Sequence, residues 1–242
     1  MEYQIIIAKT QEEKEAIYKF RYKIYFDELK KLHLPADHTN KQMYDEADEY
    51  CALYYAKDGE NIIATVRAIR GVDGAFLKAD IDFFNIGKFE EYFNHDEIAV
   101  VNRLIIDKPY RHTPLTNELM LATYFGGLDV GTKLCFITCD SSLLGFYLKY
   151  GFRLFQNPVA IKNNQLRYHL VLILYDLAHL KKVNSPFVPH LPEQLNDHGA
   201  YARKIESDVG YGLHLRNIPL KDRIILLITK AIIKIKFKNK AA

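Results

Sequence analysis

Two short apolar runs that flank Asp58-Gly59 constrain the fold of this chain most strongly. The runs cover Cys51–Lys57 and Ile62–Ile69, and each has the length of a β-strand. An Asp-Gly pair between two such runs is a strong hairpin signal, because the tight turn needs positive φ at its central residues. The sequence therefore predicts two antiparallel strands joined by a tight turn.

Strand and helix patterns alternate along the rest of the chain. Thr10 and Glu13 have the spacing of a capping box at the start of the first helix, and Gly131 and Gly151 are placed to end two later helices. The alternation favours a mixed α/β (α+β) fold, in which helices cover the faces of a central sheet. The prediction, in chain order, is a strand at 3–8, a helix at 11–30, the hairpin, a strand at 97–107, a helix at 114–130 with Thr113 as its cap, a strand at 134–139, a helix at 141–150, and strands at 152–155 and 167–174.

Composition limits the classes of protein to which this chain can belong. Hydrophobic residues make up 49% of the 242 residues and charged residues 26%, which is the balance of a globular protein. No apolar run approaches the ~18 residues of a membrane span, and three cysteines are too few for a disulfide framework. Cys135 and Cys139 have no neighbouring His, so we expect no metal site. The expected location is the cytoplasm.

The end of the chain differs in character from the rest. Residues 221–242 contain seven basic residues and one acid, whereas the whole chain carries a net charge of only +3. Because the remainder is slightly acidic, we expect no nucleic-acid partner. We predict one domain over residues 1–183, a Pro-rich extended linker over 184–200, and a basic, apolar helical segment over 201–242. Such a segment could lie on the inner face of an anionic membrane, or it could pack on the protein.

The order of elements around two motifs resembles the GCN5-related acyltransferase (GNAT) superfamily. There a central strand leads into a phosphate-facing loop and a helix, as Val101–Asp107 and Tyr110-Arg111 do here. A later helix ends in F-Y-x-x-x-G-F, a signature that Phe146–Phe152 matches in full. The resemblance covers about residues 3–180. It implies a central mixed, mainly antiparallel sheet with splayed middle strands and helices on both faces.

The N-terminal half resembles one branch of that superfamily. Phe20–Phe26 is similar to the first helix of acyl-homoserine-lactone synthases and long-chain N-acyl amino acid synthases, and Asp45, Asp48, Arg67 and Arg103 also have counterparts there. These enzymes transfer a fatty acyl group from acyl-carrier protein to an amine. The homoserine-lactone synthases use a tryptophan after this helix, and this chain has none. An amino acid acceptor is therefore favoured over S-adenosylmethionine.

The resemblance also implies roles in the chemistry of acyl transfer. Backbone N–H groups near Arg103, Leu104 and Ile105 would hold the carbonyl oxygen of the thioester. Tyr147 would protonate the departing thiolate. A carboxylate is the natural base for the ammonium group, and our hypothesis is Glu97, at the start of the central strand. In the branch the corresponding Glu stands nearer position 100, which is a valine here.

A second group of charged residues is assigned to the acceptor. Arg67 or Arg103 would bind its carboxylate bidentately. Arg21, Asp45 and Asp48 would complete the acceptor site, and either aspartate is an alternative base. The other interpretation is that all five side chains form a structural ion-pair network.

The loop after the central strand is assigned to the acyl donor. The resemblance places Arg111, His112 and Thr113 near the donor's phosphate. The stretch up to Thr116 contains no glycine, whereas the superfamily uses glycines there so that backbone amides close around the pyrophosphate of CoA. This difference favours the single phosphate of acyl-carrier protein. We therefore expect an acyl-phosphopantetheine thioester as the donor and no tightly bound cofactor.

The resulting prediction is an N-acyltransferase that moves a medium-to-long fatty acyl group from acyl-carrier protein to the amine of an amino acid. One alternative is a GNAT N-acetyltransferase that uses acetyl-CoA or another acyl-CoA. The other is a non-catalytic module that binds an acyl-carrier protein or a membrane.

Overall fold

The computed structural model describes residues 3–74, 76, 78–160, 166–192, 195, 199–209, 220 and 224. Two compact units make up the chain. One comprises residues 1–81 and 95–132, and the other comprises residues 82–94 and 133–242. Both contain strands and helices, and every strand pairing described within a unit is antiparallel. The predicted mixed, mainly antiparallel α/β fold class is confirmed.

The first unit is built on a sheet of neighbouring antiparallel strands. The hairpin prediction is confirmed, but the turn lies one residue later than expected: Asp58 pairs with Asn61, and Gly59 has a φ of +57°. The described strands, in their order across this sheet, are β1 (Gln4–Ile7), β2 (Ala52–Asp58), β3 (Asn61–Arg70) and β4 (Ile98–Ile106).

The first helix, α1 (Gln11–Tyr22), begins at the predicted capping box. The backbone N–H of Glu13 donates to Thr10 Oγ1 at 3.2 Å, and the N–H of Thr10 donates to Glu13 Oε2 at 3.0 Å. The sequence predicts a single helix to residue 30, but Lys23–Glu28 forms a π-helical turn instead. The turn changes the direction in which the following side chains point, and such turns are frequent at functional sites.

Two further helices belong wholly or partly to this unit. The helix α2 (Lys78–Phe84) lies in the segment before β4, and α3 (Leu115–Asp129) follows β4. The predicted cap of α3 is one residue off, because Pro114 occupies the cap position; Thr113 Oγ1 still accepts the N–H of Leu115 at 3.4 Å. Gly131, with a φ of +80°, follows the helix as expected.

The second unit carries the F-Y-x-x-x-G-F motif. Its helix α4 ends at Gly151, whose φ of +106° is the left-handed conformation expected of a helix-ending glycine. The strand Leu166–Ile173 pairs with three others: Leu134–Cys139, Arg153–Leu154 and Val159–Ala160. The described elements are β5 (Leu134–Cys139), α4 (Ser141–Tyr150), β6 (Arg153–Leu154), β7 (Val159–Ala160), β8 (Leu166–Ile173), α5 (Leu177–Lys182) and α6 (Gly199–Val209).

An aromatic cluster forms part of the core of the second unit. Phe136 on β5 lies at the centre, with ring centroids of Phe84, Phe89 and Phe155 between 5.1 and 5.7 Å away. His169 on β8 borders this cluster and is fully buried. Burial lowers the pKa of His169 to about 4, so the imidazole is neutral at pH 7.

The C-terminal predictions are only partly covered by described residues. Within the predicted linker, Val188–His190 forms a 3-10 turn, and α6 begins at Gly199. Residues 210–219 and most of 221–242, including the basic stretch, lie outside the described residues, so the domain limits stay a prediction. In the described ranges, no helix has the length and apolar character that crossing a bilayer requires.

Candidate active site

Five charged side chains that the sequence singled out meet inside the first unit. The members are Arg21 on α1, Asp45 and Asp48 in the segment before β2, Arg67 on β3 and Arg103 on β4. They form what we call the arginine–aspartate cluster. The structure therefore brings together every residue that the sequence assigned to the acceptor.

Each aspartate of the cluster contacts more than one guanidinium. Arg21 Nη1 donates to Asp48 Oδ1 at 2.7 Å. Arg67 Nη1 lies 2.5 Å from Asp45 Oδ1 and 3.2 Å from Asp48 Oδ2. Arg103 bonds to Asp45 through Nη2, and its Nη1 lies 3.4 Å from Asp48 Oδ2. The cluster contains three arginines and two aspartates, so its formal net charge is +1.

A short turn fixes the two carboxylates relative to each other. Glu46–Asp48 is a single 3-10 turn that Asp45 caps. Asp45 Oδ1 accepts the N–H of Ala47 at 3.1 Å, and Asp48 Oδ2 accepts the N–H of Asp45 at 2.9 Å. These reciprocal bonds are a capping box. The acidic residues at this spacing therefore serve both the local backbone and the cluster.

Burial differs across the cluster. The side chains of Arg21 and Asp48 are 0% and 1% exposed, whereas that of Asp45 is 37% exposed. Nε and Nη2 of Arg21 have no hydrogen-bond partner among the described residues. The cluster thus has a buried end at Arg21 and a solvent-facing end at Asp45, where the 12% exposed Arg103 is its neighbour.

Burial and neighbouring charges lower the pKa values of two members of the cluster, one acid and one base. Burial would raise the pKa of Asp48, but the charges of the three arginines outweigh it and lower that pKa. The pKa of Arg103 is also lowered, first by burial and then by the positive charges of Arg67 and Arg21. Arg103 is therefore the cation that would gain most from an added anion.

A β-bulge in β4 places two consecutive residues, Asn102 and Arg103, at the cluster. Thr65 pairs with Ile105 and Arg67 pairs with Asn102, so Val66 alone stands opposite two residues of β4. Within the bulge Arg103 has a φ of +55°. Successive strand residues normally point to opposite faces, and a bulge re-aims a side chain.

Asn102 is a member of the site that sequence reasoning missed. Its Oδ1 accepts from Arg67 Nε at 2.8 Å, which orients the guanidinium toward the aspartates. A strand with regular alternation would have put Asn102 and Arg103 on different faces. The available signal was a polar pair, Asn102-Arg103, inside an otherwise apolar strand.

Two of the predicted catalytic residues lie away from these contacts. Glu97 ends a 3-10 turn directly before β4. The four-residue step from Ile98 to Asn102 already spans about 13 Å along a strand, so Glu97 is beyond hydrogen-bonding distance of Asn102. Tyr147 belongs to the second unit, where it is buried on α4 with ring contacts to Phe146 and Phe152.

The loop assigned to the donor is stabilised by its own contacts. Arg111 Nε donates to the carbonyl of Ile106 at 2.9 Å, and Arg111 Nη1 pairs with Glu28 at 2.6 Å. Thr113 Oγ1 donates to the carbonyl of Tyr110 at 2.7 Å. His112 takes a φ of +64° although it is not a glycine. Arg111 is one-third exposed and thus stays accessible to an anion.

One segment in the first half of the chain matches a known family model. Residues 20–121 match the acetyltransferase (GNAT) domain, a range that includes all five members of the arginine–aspartate cluster and the loop after β4. No curated protein sequence matches the chain.

Solved structures of acyl-transferring synthases resemble most of this fold. The CoA-dependent acyl-homoserine lactone synthase MesI aligns with a TM-score of 0.59 and 14% identity, covering 81% of this chain and 100% of MesI. FeeM, an N-acyl amino acid synthase from uncultured soil microbes, aligns with a TM-score of 0.57 and 12% identity, covering 79% and 99%. BjaI, solved with SAM and isopentyl-CoA, aligns with a TM-score of 0.54 and 16% identity, covering 73% and 84%.

These structural relatives come from the branch that the N-terminal motifs resemble. At such low identity the likeness concerns the fold, and the family match supplies the class of chemistry. Residues 20–121 thus match the GNAT acetyltransferase domain, and the fold resembles that of acyl-transferring synthases.

Proposed function

We propose that this enzyme transfers a medium-to-long fatty acyl group from acyl-carrier protein to the amine of an amino acid. The observation that carries the proposal is the arginine–aspartate cluster, which has an excess positive charge and a solvent-facing end. FeeM, whose fold the chain shares, is an N-acyl amino acid synthase.

The acceptor's carboxylate binds at the solvent-facing end of the cluster. Arg103 is the best candidate to contact it, because burial and then repulsion from Arg67 and Arg21 lower its pKa, and an anion would offset both effects. A guanidinium also matches a carboxylate bidentately. Asp45, the partly exposed carboxylate, is positioned to attract the acceptor's ammonium group. An α-amino acid carries both charged groups on one carbon atom.

The thioester carbonyl is bound by backbone N–H groups at the bulge of β4. The bulge removes a residue of Arg103-Leu104 from the regular ladder with β3. An N–H outside the ladder can donate to the oxyanion that forms during acyl transfer. Ile105 resumes the ladder opposite Thr65 and fixes the far side of the bulge.

The donor is held through the loop after β4. Arg111 and His112 contact the phosphate of the phosphopantetheine arm, assisted by the N-terminal end of α3, which Thr113 precedes. The loop lacks the glycines that a pyrophosphate cradle uses. A donor with one phosphate, acyl-carrier protein, therefore fits better than CoA.

Proton transfers complete the proposed reaction. Asp45, which lies in the cluster, or Glu97, acting through a chain of waters, accepts the proton of the ammonium. The amine attacks the carbonyl carbon, the C–S bond breaks, and Tyr147 protonates the thiolate. The nitrogen releases its second proton as the neutral amide forms, and that proton returns Tyr147 to its phenol form through solvent. Burial raises the pKa of the Cys139 thiol to about 12, which makes this thiol a poor nucleophile at neutral pH and favours direct transfer over an acyl-Cys139 intermediate.

A CoA-dependent N-acyltransferase is the second candidate. The family model describes an acetyltransferase domain, and BjaI was solved with isopentyl-CoA. The two candidates differ in the donor, and both need the residues named above.

The basic segment after residue 220 would hold the enzyme at an anionic membrane, close to where an acylated product partitions.

The donor is tested by steady-state kinetics with the purified enzyme. Decanoyl-acyl-carrier protein, decanoyl-CoA and acetyl-CoA are compared with a panel of amino acids, and free thiol and the amide product are both quantified. Product from the carrier protein with a kcat/KM at least about tenfold above that for either CoA thioester supports the proposal. A preference for acetyl-CoA assigns the enzyme to the second candidate. Thiol release without amide would contradict both.

A further inference from the structure

The carboxamide of Asn102 carries two N–H donors that no residue in the described part of the chain accepts. Its Oδ1 accepts from Arg67 Nε at 2.8 Å. A guanidinium has donors only, so the oxygen end of the carboxamide must face Arg67 and the Nδ2 end must be turned away from that nitrogen. Asn102 is half-buried, and its Nδ2 is not enclosed by protein atoms. A donor group that is already oriented by the bond to Arg67 is therefore open to a molecule from solvent.

Arg67 contributes a second unused donor. Its Nε bonds to Asn102 and its Nη1 contacts both aspartates, which leaves Nη2 without a partner among the described residues. In contrast, each of the four carboxylate oxygens of Asp45 and Asp48 already accepts at least one bond. The cluster thus combines unused donors with a formal charge of +1. A carboxylate complements this combination, because it accepts hydrogen bonds only and carries a negative charge.

The bulge in β4 places the Asn102 amide close to the cation that was assigned to the acceptor. Asn102 and Arg103 are adjacent in the chain, and both lie at the bulge. Asn102 bonds to Arg67, and Arg67 and Arg103 bond to different oxygens of Asp45. The amide and the Arg103 guanidinium are therefore linked through only two side chains.

We propose that Asn102 Nδ2 donates to the carboxylate of the acceptor, and that Asn102 thereby selects amines that carry a neighbouring carboxylate over plain amines. The inference rests on the proposed function, because it adds a second contact to the carboxylate that Arg103 binds there. One carboxylate oxygen accepts from Arg103 and the other from Asn102. A plain amine would leave the Asn102 donors unpaired, and a site built to bond a substrate group discriminates strongly against an analogue that lacks it.

The substitution Asn102→Asp separates this contact from a purely positioning role. Aspartate is nearly the same size, and its carboxylate still accepts from Arg67 Nε, so the guanidinium keeps its orientation. The two N–H donors are lost, and a negative charge faces the acceptor's carboxylate. The kinetics compare the amino acid that is acylated most readily in the panel above with the amine that its decarboxylation gives. We expect the ratio of their kcat/KM values to fall about 10- to 100-fold in the variant.

Asn61→Asp is the matched control. It makes the same change at an exposed position on β3, six residues before Arg67 and thus about 20 Å away along the strand. The ratio should be unchanged in this variant. An unchanged ratio in folded Asn102→Asp would overturn the proposal, because Asn102 would then serve only to orient Arg67.

NMR spectroscopy of the unmodified full-length protein tests the same contact without turnover. The protein is prepared with isotope-labelled asparagine, and the Nδ2 signals of Asn102 are assigned through its backbone resonances. Sodium acetate should shift these signals saturably, whereas sodium chloride at the same ionic strength should not. The absence of a saturable shift with acetate would overturn the proposal even if Asn102→Asp fails to fold. An enzyme that acylates no amino acid would contradict the proposed function, and the acetate titration would still decide whether Asn102 binds a carboxylate.

Discussion

The guanidinium of Arg21 and the carboxylate of Asp48 form a fully buried ion pair, 2.7 Å apart, although 27 positions separate the two residues in the chain. The pair ties α1 to the turn that precedes β2. Asp48 also contacts Arg67 and Arg103, so its carboxylate compensates three cations. The geometry of the candidate acceptor site therefore depends on one buried aspartate.

Replacing this aspartate should destabilise the fold. In Asp48→Asn the three guanidiniums lose a buried counter-charge, and we expect a loss of about 3–5 kcal/mol in the free energy of unfolding. Urea denaturation followed by circular dichroism measures it. Glu46→Gln, on the exposed side of the same turn, is the control and should stay within about 0.5 kcal/mol of the unmodified protein. A similar small effect for Asp48→Asn would show that the cluster does not hold these segments together.

The acceptor role of Arg103 predicts a selective kinetic defect. Arg103→Gln should lower kcat/KM for the amino acid about 10- to 100-fold, since a charge-assisted contact to its carboxylate is lost. The KM for the acyl donor should be unchanged. Arg70→Gln removes an arginine that pairs with Asp73 near the end of β3, and it should leave both parameters unaltered. An equal rise in both KM values for Arg103→Gln would indicate a structural role instead.

Stability should fall as the pH drops below 6.5, because His169 is buried as the neutral imidazole among Phe83, Phe84 and Phe155. Its pKa is lowered from 6.5 to about 4, so between these values the unfolded chain binds the proton and the folded chain does not. The contribution is complete above pH 6.5 and is lost toward pH 4, at no more than about 1.4 kcal/mol per pH unit.

Denaturation at pH 7 and pH 5 measures this effect. His169→Leu should lose less stability than the unmodified protein over the interval, because residue 169 no longer takes up a proton on unfolding. His179, whose pKa burial also lowers to about 4, stays in the variant, so part of the pH dependence should persist. Identical losses for both proteins would mean that His169 is not buried as described.

A close packing contact between α3 and β2 predicts that Gly126 cannot be enlarged. A Cβ at Gly126 would lie 2.0 Å from Tyr54 Oη, and Tyr54 is buried. We expect Gly126→Ala to cost about 1–3 kcal/mol by overpacking, despite the better helix propensity of alanine. Tyr54→Phe removes the hydroxyl, so adding it should recover part of the loss. If the double variant shows no recovery, the strain arises elsewhere.

Local signals accounted for the elements that the sequence predicted well. The capping box at Thr10 and Glu13 and the glycine at 151 act within a few residues, so their geometry follows from the residues themselves. The hairpin was found for the same reason, although its turn lies one residue later, because pairing between β2 and β3 decides which residues form the turn.

The features that the sequence did not reveal depend on contacts between distant segments. The π-helical turn at Lys23–Glu28 and the bulge at Arg103 are decided by packing and strand register. Asn102 reaches Arg67 only because of that bulge. The members of the cluster could be named from the resemblance, but their mutual contacts required the structure.

The central claim, acylation of an amino acid, is tested most directly by mass spectrometry of lipid extracts. Cells expressing this chain are compared with cells expressing the Tyr147→Phe, Glu97→Gln double variant. We predict new species that share one amino acid mass and differ by two methylene units, present with the enzyme and much reduced with the variant. The absence of any new acylated amino acid, with the enzyme present as folded protein, would contradict the account.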